Sequence, residues 1–477
     1  MKTRNMAAGA ARSWAFRLAC LIVPIILVVA FAQQSTVVLD PIRQGERPAI
    51  AIPDLRGTGE AQALMPVFNQ TVWADVSGGG ILKMVPKTSY PTTVPQQPSD
   101  FTQPAPPPEP ARGRRSAPIV QPQTGGGRWL TDWSGPPVSA NYLAFGYTAV
   151  QNGVLVLRGW LYDLRNGASP SVFGKTYLGS IDEAGARKVA HEFAADILAL
   201  FGGTSLAGTH IYFVSDRTGH KEIWAMDYDG KNQRQITHYN SLTIQPALSP
   251  DGSKIAFTSY TRGNPGIFVF SVDPVRDLRF YNQGASVNSS PSFTPDGKQL
   301  VYSSEAGTGR CCRIYIAGLN GSGFRPISSA TSIDTEPKVN PKTGNDIVFS
   351  SGRSGPQQIY RMNMDGGDME RLSDGTGEAS NPAWHPDGQL IAFSWTRGFA
   401  AGAWNVFIMD IASHKVLAQL THGEGRNENP SWAPDGKHLV FGSTRGGRSQ
   451  IYTMLADGTQ VQPLTTQGRN ERPVWGK

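Results

Sequence analysis

The second half of the chain alternates short apolar runs with polar turns at a nearly constant spacing. The tripeptide Pro-Asp-Gly recurs at Pro250-Asp251-Gly252, Pro295-Asp296-Gly297, Pro386-Asp387-Gly388 and Pro434-Asp435-Gly436. Pro341-Lys342-Thr343-Gly344 is a degenerate copy, and the intervals run from 45 to 48 residues. An apolar run follows each turn, as in Ile255-Ala256-Phe257, Leu300-Val301-Tyr302 and Leu439-Val440-Phe441. A polar loop, a second run such as Gln358-Ile359-Tyr360-Arg361-Met362, a turn such as Asp365-Gly366 and a short last run complete the unit. Pro presets φ and Gly accepts positive φ, so Pro-Asp-Gly predicts a tight hairpin, which the degenerate copy should spoil. Four short strands in about 45 residues make one propeller blade, and such a blade buries both faces only by stacking on neighbours.

Residues 210–237 carry three strands of the pattern and lack the first. Arg472-Pro473-Val474-Trp475, parallel to Asn429-Pro430-Ser431-Trp432, supplies it. The pattern therefore predicts an all-β six-bladed propeller over 206–477, closed by the C-terminal strand so that no edge is left open.

Residues 33–205 read as a small α/β or α+β domain. Strands are expected at 49–53, 81–85, 142–150 and 153–163, the last two joined by the hairpin signal Asn152-Gly153. Helical spacing covers 60–76 and 183–201, the latter ended by Gly202-Gly203. Eleven prolines between 86 and 127 predict an extended, disordered insertion, made locally basic by Arg112, Arg114 and Arg115.

Residues 1–32 read as a cleavable secretory signal: a basic start, an apolar run from Leu18 to Ala32, and Ala30-Phe31-Ala32 before Gln33. An uncleaved anchor is the rival reading. Cys20 is misplaced for lipidation, since it opens the apolar run rather than following it. Cleavage leaves only the adjacent Cys311 and Cys312, free or locally bridged, which do not space like zinc ligands. So exported a chain with so few cysteines points to a bacterial periplasm. Of the net charge of +7, Lys2, Arg4, Arg12 and Arg17 fall in the signal, leaving +3, too little to argue for nucleic acid.

Catalytic motifs fail on inspection. His191-Glu192 opens like a zinc-protease helix, but Ala195 stands where the second His is needed. Gly174-Lys175-Thr176 resembles the end of a phosphate loop, but Ser169 replaces the required Gly. No nucleophile elbow occurs, and the histidines of the repeats share no repeat position. No catalytic residue, metal site or cofactor is expected, although a cation near Glu336 is conceivable.

Polar positions do recur. The residues before the Pro of each innermost strand, Gln245, Ser290, Glu336, Asn381, Asn429 and Arg472, should ring one mouth of the central channel. Loops on the same face carry Arg217, Arg262, Arg353, Arg397 and Arg445. Such periodic arginines either clamp neighbouring blades or form a docking face for a protein.

The blade motif Asn381-Pro382-Ala383-Trp384-His385-Pro386-Asp387-Gly388 is shared by many propellers. The order signal, small domain, terminal propeller is more specific. So is the opening Val37-Val38-Leu39-Asp40 followed by Arg47-Pro48-Ala49-Ile50-Ala51-Ile52-Pro53. On these features the chain resembles the TolB family, periplasmic components of the Tol-Pal cell-envelope system, over nearly its whole length after residue 32. The resemblance implies a monomeric, non-enzymatic adaptor serving envelope integrity and cell division. It implies that Gln33, Val37, Val38, Leu39 and Asp40 lie in a segment engaging a TolA-like inner-membrane protein. It implies that the ring residues face a Pal-like peptidoglycan-associated lipoprotein, and that ordering or release of the N-terminal segment switches between partner states. The long insertion departs from the family pattern. A propeller hydrolase or lyase, and a propeller serving another envelope or secretion complex, are the alternatives.

Overall fold

A computed structural model describes residues 47–102, 126–167, 169–272, 275–281, 287–306, 312–329 and 332–476. The expected signal, the segment holding Gln33, Val37, Val38, Leu39 and Asp40, the arginines Arg112, Arg114 and Arg115, and Cys311 lie outside the described residues. Cys312 is disulfide-bonded.

The small domain is built on a mixed sheet. Its strands are β1 (Ala49–Ala51), β2 (Arg56–Gly57), β3 (Lys83–Met84), β4 (Tyr142–Gln151), β5 (Val154–Asp163) and β6 (Ser171–Gly179). They run in the order β3-β1-β4-β5-β6, with β2 beside β4. β1 is parallel to β3 and β4, whereas β4, β5 and β6 form an antiparallel meander. Asn152 and Gly153 both take positive φ, 51° and 75°, as a primed hairpin turn requires. Two helices, α1 (Met65–Gly78) and α3 (Glu183–Leu200), cover one face, and the short α2 (Leu130–Ser134) lies between them in sequence. Phe68, Val72 and Val76 of α1 and Val189, Phe193 and Ile197 of α3 pack on Ile50, Leu155 and Leu157. The side chain of Asp182 caps α3 by accepting from the Gly185 N–H at 2.7 Å.

Strand β6 has no counterpart in the hydropathy pattern because most of its residues are exposed. It contains Gly174-Lys175-Thr176, which is extended and paired with Trp160, Gly159 and Arg158, so no phosphate loop exists there.

The Pro-rich insertion is corrected in part. Residues 86–102 fold against the sheet's second face. Tyr90 donates its hydroxyl to the Val85 carbonyl at 2.8 Å and accepts from the Ile52 N–H at 3.0 Å. Phe101 stacks on Tyr162 and meets Phe145 edge-on, at centroid distances of 5.6 and 5.3 Å. Aromatic side chains, not proline content, decide this stretch, because two rings seated on a core offset the cost of ordering the backbone. Residues 103–125 lie outside the described residues.

Six four-stranded antiparallel sheets make the propeller. Their innermost strands are Thr243–Leu248, Asn288–Phe293, Asp334–Val339, Ala379–Trp384, Asn427–Trp432 and Asn470–Gly476, defining blades 1 to 6. Blade 6 is split: Asn470–Gly476 pairs with His210–Ser215, which closes the ring. Trp475 locks the seam, donating from Nε1 to Thr209 Oγ1 at 2.9 Å. In the Pro-Asp-Gly turns the glycines have φ between 66° and 74°, and the aspartates accept from the N–H two residues on. Hydroxyls of Ser249 and Ser253 hold the Asp251 carboxyl down at about 2. The degenerate turn is not spoiled: Asn340 Oδ1 accepts from the Lys342 and Thr343 N–H groups and Gly344 takes φ 69°.

Pro41–Lys477 forms one compact unit. The small domain meets the propeller on the face of the Pro-Asp-Gly turns: Asp75 of α1 and His191 of α3 approach Tyr228, in the turn after Glu222–Asp227.

Candidate functional site

Gln245, Ser290, Glu336, Asn381, Asn429 and Arg472 converge around one axial cavity of about 300 Å³. All six adopt left-handed φ, at 56°, 55°, 55°, 54°, 55° and 52°. The cause is a bulge in every innermost strand: pairing breaks between Ile244 and Ala247, and at the equivalent place in the other blades. The following Pro has no N–H to offer the ladder, so the bulge falls where a ladder bond is already missing. The sequence does show the signal, a polar residue before Pro, but not the backbone hand.

Ring side chains link blade 1 to blade 2, blade 3 to blade 4, and blade 3 to blade 6. Gln245 accepts from the Ser290 N–H at 3.1 Å and donates to the Ser290 hydroxyl at 2.7 Å. Glu336 accepts from Asn381, from its N–H at 3.0 Å and from its Nδ2 at 2.8 Å, and from Ser350 at 3.1 Å. Arg472, on the blade opposite, reaches Glu336 across the channel at 3.5 Å. The ring's one acid is thus engaged on all sides. The described residues hold no cluster of three His, Cys, Asp or Glu able to hold a metal. Among the described residues the Asn429 side chain has no hydrogen-bond partner, and its N–H donates to Ser394 Oγ at 3.1 Å.

The arginines are corrected in two respects. They clamp their own blades more than neighbouring ones. Arg353 donates Nε to Ser351 at 2.9 Å and Nη2 to both oxygens of Asp334, at 3.0 and 2.9 Å. Arg217 and Arg445 repeat this on Ser215 and Asn470, and on Ser443 and Asn427. Each guanidinium also covers an aromatic ring, Trp224, Tyr360 or Tyr452, at 4.4 to 5.1 Å. Arg397 differs, pairing with Asp374 in the connection that leads in from the preceding blade, at 3.0 Å. Arg262 does not belong to the set. The hairpin of Lys254–Arg262 and Asn264–Val272 is longer than its counterparts, and Thr261 takes the equivalent place after Ser259.

Sequence reasoning missed two features of this face. Leu242 and Ile333, just before their innermost strands, are exposed apolar residues, 38% and 56% accessible. Lys338, two residues beyond Glu336, lines the cavity. The repeat alignment held that signal: Ala247, Ser292, Lys338, Ala383, Ser431 and Val474 share one position, and only one is charged.

Residues 199–394 and 370–477 match the family described as the TolB beta propeller domain. A "Protein TolB homolog" of Chlorobium luteolum is 34% identical over 228 residues, 48% of this chain and 50% of that protein. Another, of Chlorobium chlorochromatii, is 32% identical over 217 residues, 45% of this chain and 47% of that protein. The chain spans about half the length of these curated relatives. The crystal structure of TolB from Acinetobacter baumannii superposes with a TM-score of 0.71 at 22% identity, covering 90% of this chain and 96% of that one. That likeness extends the shared fold beyond the propeller to the small domain. By its propeller repeats, this chain belongs to the TolB β-propeller family.

Proposed function

We propose that this protein is a periplasmic, non-enzymatic adaptor of the Tol-Pal type. One observation carries the reading: the propeller mouth opposite the small domain presents a fixed polar ring flanked by exposed Leu242 and Ile333. A rigid polar centre beside apolar contacts suits protein docking better than turnover. The partner at this mouth is a Pal-like peptidoglycan-associated lipoprotein. The partner of Gln33, Val37, Val38, Leu39 and Asp40 is a TolA-like inner-membrane protein. Within the docking face Asn429 is the ring residue with an unengaged side chain, and Arg397 is the most open of the clamping arginines. Export through a cleaved signal at 1–32 delivers the chain to the periplasm, and no described helix is long and apolar enough to cross a membrane.

The test is capture of partners from the envelope extract of the source organism. The unaltered protein should recover a peptidoglycan-binding lipoprotein. A variant with Asn429→Arg and Ile333→Asp should lose it, while one lacking residues 33–40 should keep it. Equal recovery by the mouth variant would overturn the docking assignment.

A further inference from the structure

The axial channel contains a charge that the ring does not balance. Lys338 lines the cavity one layer below Glu336, on the blade that also carries that acid. Glu336 is held by Asn381, Ser350 and Arg472, and forms no ion pair with Lys338. Among the described residues Lys338 Nζ has no hydrogen-bond or ion-pair partner. The others at its repeat position are Ala, Ser and Val, so Lys338 is the one long side chain at this level of the cavity. Glu336 and Arg472 cancel, and the cavity keeps one positive charge.

The donors around that space agree in sign. Ser292 Oγ accepts from the Val339 N–H at 3.3 Å and Ser431 Oγ accepts from the Trp475 N–H at 3.1 Å. Both residues line the cavity, and each hydroxyl that accepts still has its own proton to give. Asn429, one layer above, has its amide unengaged. Burial pushes the Lys338 ammonium down, Glu336 opposes that and Arg472 reinforces it, so the neighbouring charges do not offset its desolvation.

We propose that the channel is a binding site for a single carboxylate, received by the Lys338 ammonium with the hydroxyls of Ser292 and Ser431 and the Asn429 amide as further donors. The carboxylate belongs either to a free small acid or to an acidic side chain of the docked protein. In the second case the proposal rests on the docking role of this mouth. A cation site is disfavoured by the same inventory, because the one carboxylate present is already engaged.

The purified protein, labelled with isotope in its lysines, is titrated with sodium acetate at constant ionic strength set by sodium chloride, and the side-chain amine signals are followed by NMR. The Lys338 signal, identified by its loss in Lys338→Met, should shift saturably while the other lysines do not. Lys338→Arg serves for the identification where the Met variant fails to fold, and the reading itself is made on the unaltered chain. In a second arm, envelope extract is passed over unaltered and Lys338→Met protein. Loss of a charge-assisted contact should lower lipoprotein recovery by about tenfold or more, which would assign the carboxylate to the partner. A saturable acetate shift with unchanged recovery would assign it to a free acid. No saturable shift together with unchanged recovery would overturn the site, as would saturation by calcium instead of acetate. Whether the unaltered protein recovers a lipoprotein at all is read separately and bears only on the docking role.

Discussion

His191 on α3 and Asp75 on α1 meet at 2.7 Å where the small domain rests on the propeller. Tyr228 of the propeller lies edge-on to the imidazole at 5.6 Å. Burial alone pulls the His191 imidazole down, but the bond to Asp75 and the charges of Asp75, Asp229 and Asp227 outweigh it, leaving it above its ordinary value. Burial lifts the Asp75 carboxyl, against the pull of His191. Both groups therefore bind protons more tightly in the folded protein, and their stabilisation is fullest at low pH and lost as pH rises through the folded values. Melting temperature should fall as pH rises above the ordinary histidine value of about 6.5. His191→Gln should flatten that slope, and an unchanged slope would remove His191 as its source.

Arg353 covers a carboxylate, Asp334, whose side chain is wholly buried. Arg353→Met should cost about 3 kcal/mol in chemical denaturation, because it leaves that charge unpaired. Asn288, Asn427 and Asn470 occupy the same place in other blades. Asp334→Asn should therefore be mild, and combined with Arg353→Met it should restore most of the loss. Additive losses in the double variant would refute the pairing.

The left-handed backbone at the mouth is tested at Asn429, whose side chain has no hydrogen-bond partner among the described residues. Asn429→Gly should be close to neutral. Asn429→Val should cost about 1–3 kcal/mol, since a β-branched residue is strained at φ 55°. The comparison is a pair of urea unfolding curves, and equal midpoints would argue against the bulge.

Phe101 reports on the corrected part of the insertion. Phe101→Ala should lower stability by about 2 kcal/mol, less than a fully buried Phe, because the ring is only partly buried. A loss confined to the experimental error would mean that residues 86–102 contribute nothing to the core beneath Phe145 and Tyr162.

Most of the propeller was legible because its signals are local: Pro-Asp-Gly turns, period-2 strands, and a repeat that counts its own blades. The split blade followed from one missing strand at 210–237 and one surplus strand at Arg472-Pro473-Val474-Trp475. β6 was illegible because an exposed edge strand has no apolar alternation to betray it. The fate of Tyr90 and Phe101 depended on a surface formed by residues far along the chain. The ring residues were found by position, but their partners were not: that Arg472 faces Glu336 follows only once blades 3 and 6 lie opposite each other. Arg262 was misassigned because a longer hairpin moved its register, and Lys338 carries no local signal of its own: its charge stands out only against the small residues at the same repeat position.

The seam of blade 6 has a consequence for the life of the chain. Arg217 and Asn470, which meet there at 3.1 Å, are separated by 253 positions. Five blades are able to form in order from nearby contacts, but the circle shuts only after the final strand has arrived. Until then His210–Ser215 carries a bare edge, the kind of surface on which chains pair with one another. A closed disc thus depends on Asn470–Gly476, and a polypeptide lacking that strand leaves His210–Ser215 without its partner.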